Sequence, residues 1–124
     1  MRERRAELRM PADDYFRGRT IMITIPVGIT TFRMEGPYDL AGSVLGRAGV
    51  YVILCLKDKQ YVPIDVGQAE SVRERLAAHD RQACWYRNCA SRPVVAVKYI
   101  IDPTTRDITE RTIRKYYDLP CGEK

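Results

Sequence analysis

The chain has 124 residues, of which 45% are hydrophobic and 30% charged, a composition typical of one soluble globular domain. No apolar run reaches the roughly 20 residues that span a bilayer, and the start MRERRAELRM lacks the apolar segment of a signal peptide. We therefore expect no membrane partner and a cytoplasmic protein. Lysine and arginine outnumber the acids by 21 to 16, and this excess favours a polyanionic partner such as nucleic acid.

The N-terminal part of the chain has two predicted sections. Residues 1–19 are rich in arginine with interspersed acids, which predicts a flexible or helical arm outside the domain. From residue 20, isoleucines alternate with other residues at positions 21, 23 and 25, which predicts a half-buried strand, and the run ITTF either continues it or forms its hairpin partner. Gly36-Pro37 then breaks the chain and a short helix is predicted over 38–45.

A hairpin is predicted in the middle of the chain. The apolar run VILCL indicates a strand buried on both faces, and residues 57–60 form a polar turn of hairpin length. The second strand, residues 61–66, contains Pro63, which suits an edge position or a bulge because proline has no amide hydrogen. Gly67 ends the strand, where the backbone must turn into a helix.

The helix after this hairpin is predicted from a capping box, Ser71 with Glu74, ahead of an apolar stripe. Arg75 and His79 are four residues apart, so a continuous helix would place both on one face. Arg75 as a surface residue and His79 as a helix C-terminal residue are the structural alternatives.

The segment that follows mixes aromatic and basic residues. Tyr86 and Trp85 stand among arginines, a combination that nucleic-acid surfaces use for stacking and phosphate contact. For Trp85 a place in the core is expected instead, whereas the arginines are expected to contact nucleic acid. The arginines predicted to contact nucleic acid are Arg73, Arg81, Arg87 and Arg92.

The cysteines have two possible roles. Without a secretory signal, reduced thiols are expected rather than disulfides. The alternative is a structural zinc site made of His79, Cys84, Cys89 and Cys121, although these spacings lack the usual two-residue knuckle.

The C-terminal part completes the predicted fold. Residues 94–101, VVAVKYII, are nearly all apolar or β-branched and predict an interior strand. Asp107 and Glu110 resemble a cap at the start of a helix that runs to about residue 118. The fold class is mixed α+β: a small antiparallel sheet of three core strands flanked by helices, with an N-terminal β extension over 20–48.

Several of these features together resemble the GIY-YIG endonuclease domain, which occurs in homing, restriction and repair nucleases. They are GVY at 49–51, DVG at 65–67, the helix SVRERLAAH and Glu110, within a single domain of residues 20–124 whose core is 49–121. The resemblance implies a metal-dependent endonuclease that hydrolyses phosphodiester bonds in DNA, with Mg²⁺ or Mn²⁺ as cofactor.

The resemblance also assigns roles to residues. Glu110 falls at the position of the family's metal-binding glutamate, Arg75 at the essential helix arginine and Tyr51 at the tyrosine of the first motif. His79 falls where members carry a tyrosine or a histidine. Such a set could bind the phosphate, orient and deprotonate water, and hold a cation for the leaving oxygen. For Glu110, an ion pair with Arg106 or Arg114 is the structural alternative.

Two positions depart from the family pattern. Asp65 stands where the second motif has its tyrosine, and Gln68 stands where many members have a lysine. An ionised aspartate cannot donate a hydrogen bond, so Asp65 would be a second metal ligand or a sign of lost activity. Tyr61, expected on the same face of this strand as Asp65, could supply the missing phenol. The alternative function is a catalytically impaired module that binds nucleic acid or another protein.

Overall fold

The computed structural model describes residues 21–40 and 42–122, so the predicted arm over 1–19 lies outside the described residues. The described part is a mixed α+β fold, as predicted. The strands and helices are β1 (Met22–Val27), β2 (Thr30–Asp39), β3 (Gly49–Lys57), β4 (Gln60–Ala69), α1 (Val72–Ala77), α2 (Gln82–Arg87), β5 (Val94–Tyr99) and α3 (Pro103–Tyr116). Among the described helices, none is long and apolar enough to cross a bilayer.

All five strands form one antiparallel sheet in the order β1-β2-β5-β3-β4. The prediction of three core strands with a separate N-terminal extension is therefore wrong. β2 pairs directly with β5, with Glu35 opposite Val97 and Asp39 opposite Val94. Because this pairing continues the ladder, the β1–β2 hairpin belongs to the same sheet and contributes Ile23 to the same core as β3.

The predicted helix over residues 38–45 is also wrong. The chain does not leave the sheet at Gly36-Pro37, because the register between β2 and β5 shifts there and Tyr38 again pairs with Val95. Gly36 has a positive φ of 122°, and a Cβ on it would lie 2.8 Å from the carbonyl oxygen of Val95. Glycine thus allows the two strands to approach closely at this bulge.

The predicted central hairpin is confirmed by the pairing of β3 with β4. Pro63 lies on β4, an edge strand, where the register shifts between Ile53 and Leu54. Proline, which has no amide hydrogen, is therefore tolerated here because no hydrogen bond between two interior strands is lost. β5 lies between β2 and β3, which confirms the predicted interior strand.

Each face of the sheet has its own core, because neighbouring side chains of a strand point to opposite faces. The α3-side core contains Val50, Val52 and Leu54 of β3 packed with Ile113 and Tyr117. The α1-side core alternates with it along β3. Its buried members include Tyr51, Ile53, Cys55, Val72, Leu76 and Trp85.

The N-terminus of α1 is capped differently from the prediction. α1 begins after Ser71, but among the described contacts the Ser71 side chain makes no cap hydrogen bond. The amides of Val72 and Arg73 instead donate to carbonyls of the preceding loop, Arg47 O and Leu45 O, so the predicted capping box is not formed.

The last helix begins earlier than predicted, at Pro103. Asp102 is its N-cap and accepts a hydrogen bond from the amide of Thr105 at 3.0 Å. This cap leaves Asp107 and Glu110 inside the helix, so the cap predicted at those two residues is wrong.

Two disulfides close the α1-side core, in contrast to the reduced thiols expected from the sequence. Cys55 is bonded to Cys89, and Cys84 to Cys121, with Cα atoms 5.6 and 6.0 Å apart. A zinc site would need these sulfurs as thiolates, so the alternative zinc site is excluded in this structure. The bridges fasten α2 and its C-terminal loop to β3 and to the C-terminal segment.

Each disulfide is expected to stabilise the fold by about 3 to 4 kcal/mol, because it closes a loop of 34 or 37 residues in the unfolded chain. The double variants Cys55→Ala/Cys89→Ala and Cys84→Ala/Cys121→Ala should lose this amount in guanidinium unfolding, and reductant should destabilise the native sequence similarly. Four alkylated thiols in non-reduced, denatured protein would contradict the bridges.

Candidate active site

A buried tyrosine–histidine pair lies at the centre of the α1-side core. Tyr51 Oη lies 2.8 Å from Nε2 of His79, and the residues are 1% and 5% exposed. His79 does not lie on α1, which ends at Ala77 with Ala78 as its C-cap, so the prediction of Arg75 and His79 on one helical face is wrong. The pair forms because the chain turns after α1 and directs the imidazole back toward β3.

A backbone amide determines which ring nitrogen of His79 carries the hydrogen. The amide N–H of Arg81 donates to Nδ1 of His79 at 3.0 Å, so Nδ1 carries no hydrogen. In the neutral ring the hydrogen is then on Nε2 and is donated to Tyr51 Oη. His79 has no free lone pair in this arrangement, whereas Tyr51 keeps its own hydroxyl hydrogen.

Burial favours the uncharged form of both rings. The pKa of His79 falls to about 4, chiefly through burial and then through the positive charges of Arg75 and Arg81. Burial raises the pKa of Tyr51 to about 12, against the opposing effect of the Arg75 guanidinium. Both rings are therefore neutral at physiological pH.

The depressed pKa of His79 makes the folding free energy depend on pH. The unfolded chain takes up a proton near pH 6.5 and the folded protein only near pH 4, so stability falls as the pH drops through this range. We expect His79 to contribute about 3 kcal/mol to this fall. Urea unfolding followed by Trp85 fluorescence at pH 7.5 and 4.5 measures it.

The variant His79→Gln provides the control, since His79 is the single histidine of the chain. Its free energy of unfolding should change less between the two pH values than that of the native sequence. The same change in both proteins would show that His79 is not buried in a neutral form.

Gly67 is the position that lets Tyr51 enter the core. It pairs with Tyr51 across the β3–β4 ladder, and a Cβ on it would overlap the Tyr51 phenol. The last residue of the DVG motif therefore has to be glycine because an aromatic side chain of the facing strand packs directly on its Cα atom.

Asp65 is a buried carboxylate with several hydrogen-bond donors around it. It is 0% exposed, and its Oδ2 accepts from Nε of Arg81 at 2.7 Å and from the indole of Trp85 at 2.8 Å. Oδ1 accepts from the Val66 amide at 2.8 Å and lies 3.6 Å from the guanidinium of Arg114. Asp65 is thus the centre of an internal network of ion pairs and hydrogen bonds.

Tyr61 does not compensate for the missing phenol. The β3–β4 bulge changes the alternation of side chains along β4, so Tyr61 packs against the α3-side core while Asp65 lies opposite Ile53 of the α1-side core. The prediction that both residues point to one face is therefore wrong.

Glu110 lies at the edge of the sheet beside β4. Its Oε1 accepts a hydrogen bond from the amide of Gln68 at 2.9 Å, and its Oε2 lies 3.4 Å from the guanidinium of Arg114. Of the two structural partners considered for Glu110, Arg114 is present in the structure, whereas Arg106 donates to Gln68 at 3.3 Å. Gln68 therefore connects the end of β4 to α3.

Arg75 is the accessible cation beside the buried pair. Its side chain is 40% exposed and its guanidinium lies 3.2 Å from the carboxylate of Asp80, an exposed residue. Because an exposed ion pair is weak, Arg75 can exchange this partner for another anion.

An indirect series of contacts connects the tyrosine–histidine pair with Glu110. Arg114 bridges the carboxylates of Asp65 and Glu110. The Trp85 ring, which donates to Asp65, lies 4.5 Å from the His79 ring. A continuous series of polar and aromatic contacts thus links the imidazole to the carboxylate of α3.

The arginines predicted to bind nucleic acid have different environments. Arg73, Arg87 and Arg92 are exposed. Arg81 is paired with Asp65 and its side chain is 25% exposed, so it serves the internal network instead.

Arg114 contacts the carboxylates of both Asp65 and Glu110, whereas the sequence indicated only a pair with Glu110. Its spacing from Glu110 was the one available signal, since residues four apart on a helix are neighbours. Its contact with Asp65 depends on the packing of α3 at the β4 edge, which no local pattern encodes.

Within residues 21–40 and 42–122, no group of three or more histidine, cysteine, aspartate or glutamate side chains could hold a metal ion. A site with a single protein carboxylate remains compatible with Glu110, whose side chain is 19% exposed and whose oxygens each have further lone pairs. Mg²⁺ is often bound by one or two carboxylates together with water and substrate phosphate.

No protein-family model, no curated protein and no solved structure matches the chain. The resemblance to the GIY-YIG domain therefore rests on the residues and their placement alone.

Proposed function

We propose that the chain is a small metal-dependent endonuclease of the GIY-YIG type that hydrolyses phosphodiester bonds in DNA. The proposal is supported by the series of contacts that runs from the tyrosine–histidine pair through Trp85 and Asp65 to Arg114 and Glu110. Tyr51 packs on Gly67, and the next residue of β4, Gln68, binds Glu110.

The proposed roles follow from exposure and hydrogen bonding. Arg75 binds the scissile phosphate, because it is the accessible guanidinium next to Tyr51. Tyr51 accepts a hydrogen from His79 and keeps its own hydroxyl hydrogen, which we assign to a phosphate oxygen or to the attacking water. Because Tyr51 is 1% exposed in the substrate-free structure, this contact requires the site to open. His79 is thus a positioning residue for Tyr51 and does not deprotonate water.

Glu110 is the residue that would hold Mg²⁺ or Mn²⁺. The cation would acidify the attacking water and stabilise the leaving oxygen. Gln68 orients the Glu110 carboxylate through the 2.9 Å hydrogen bond. Asp65 is assigned to neither metal nor substrate, because it is fully buried among its own partners.

A second candidate is a module of the same fold that binds nucleic acid without cleaving it. It is favoured by the burial of the tyrosine–histidine pair, since the His79 side chain is 0% exposed. The exposed arginines Arg73, Arg87 and Arg92 would supply its phosphate contacts. This candidate predicts salt-sensitive DNA binding that EDTA does not change.

The cellular compartment of the protein is part of the proposal. The two disulfides favour an oxidising compartment over the cytoplasm that the sequence led us to expect. Activity assays therefore require protein with intact bridges.

Supercoiled plasmid incubated with the oxidised protein and Mg²⁺ or Mn²⁺ tests the proposed activity. Nicking is expected, with a loss of at least about 100-fold in Arg75→Ala and in Glu110→Ala, because each removes a charge that stabilises the transition state. Gel electrophoresis of relaxed and linear plasmid gives the rate.

Arg111→Ala is the matched control for this assay, since Arg111 follows Glu110 on α3 and pairs only with Asp107 in the described contacts. It should nick at the native rate. DNA binding without nicking under every metal condition would support the second candidate and contradict the nuclease.

A further inference from the structure

We propose that Arg114 is a positioning residue that holds the Glu110 carboxylate by an ion pair and lowers the affinity of that carboxylate for a divalent cation. The inference rests on the proposed function, because the cation is the one assigned to the nuclease. It explains why the site carries an aspartate at position 65, where the resemblance calls for a tyrosine.

The position of Arg114 between two carboxylates supports this role. One of its terminal nitrogens lies 3.4 Å from Oε2 of Glu110 and 3.6 Å from Oδ1 of Asp65, and it also donates to the carbonyl oxygen of Val66. The side chain is only 21% exposed. A guanidinium with three acceptors around one nitrogen is held in place more firmly than a surface arginine.

Asp65 is the anchor that keeps this cation at the site. It is 0% exposed, so this buried carboxylate would lose one of its two cationic partners, the other being Arg81, if Arg114 moved away. Gly122 covers the same pair, since a Cβ on it would lie 2.6 Å from Oδ1 of Asp65. The C-terminal segment therefore limits the directions in which Arg114 can move.

The positive charge of Arg114 weakens the binding of a cation to the Glu110 carboxylate. Gln68 donates to Oε1 and Arg114 pairs with Oε2, so a cation that approaches Glu110 meets a positive charge already next to the carboxylate. Removing one unit charge about 6 Å from a divalent ion in water changes its affinity about tenfold. Arg114 thus makes the site weak for metal alone, and an arriving phosphate can take over its positive charge.

Titration of the DNA-free protein with Mn²⁺ at low ionic strength, followed by electron paramagnetic resonance of the free ion, tests the inference without any activity. Arg114→Gln should bind Mn²⁺ about tenfold more tightly than the native sequence. Arg111→Gln, which removes an equal charge one position from Glu110, should change the affinity much less, and Glu110→Gln should abolish binding.

If Arg114→Gln does not fold, Asp65→Asn and Asp65→Asn/Arg114→Gln provide the comparison, because these two proteins differ only in the charge of Arg114. The double variant should bind Mn²⁺ about tenfold more tightly than Asp65→Asn. Equal or weaker Mn²⁺ binding after loss of Arg114, or no Mn²⁺ binding by any of these proteins, overturns the inference. Plasmid nicking by the native protein with unchanged Mn²⁺ affinity in Arg114→Gln would refute this inference alone. A tenfold gain without nicking would refute the nuclease instead.

Discussion

The structure around the candidate site depends on one buried carboxylate. Asp65 is fully buried in the middle of β4, and burial of a charge is costly unless hydrogen bonds and opposite charges compensate it. Its compensation comes from three places in the chain: the guanidinium of Arg81, the indole of Trp85 and the guanidinium of Arg114. The loop before α2, α2 itself and α3 are therefore all held to β4 by a single side chain.

Arg81 links the buried Asp65 carboxylate to the residues of the proposed chemistry. The side chain of Arg81 is fixed by Asp65, and its backbone amide donates to Nδ1 of His79. The imidazole must then donate from Nε2, which leaves Tyr51 as a donor toward the phosphate. Asp65 thus orients, through Arg81, the imidazole that binds Tyr51.

The sequence predicts those parts of the fold that local patterns determine. The β3–β4 hairpin, the edge position of Pro63 and the interior strand β5 follow from apolar runs and from proline chemistry. The environment of Asp65 could not be predicted, because its partners lie 16, 20 and 49 positions further along the chain. The disulfides were missed for a related reason, since the choice between thiol and bridge depends on which cysteines the fold brings together. Contacts through Trp85 and Arg114 link His79 to Glu110, whereas Tyr61 lies on the other face of β4. The break of the helix before His79 directs its imidazole to Tyr51.

The central claim is that the network around Asp65 fixes the tautomer of His79. Because the chain contains one histidine, ¹⁵N NMR of the labelled protein at pH 7 reports both ring nitrogens without overlap. We predict a neutral ring with its hydrogen on Nε2 and an unprotonated Nδ1 that accepts a hydrogen bond from the Arg81 amide. A hydrogen on Nδ1, or a ring protonated at this pH, would contradict it.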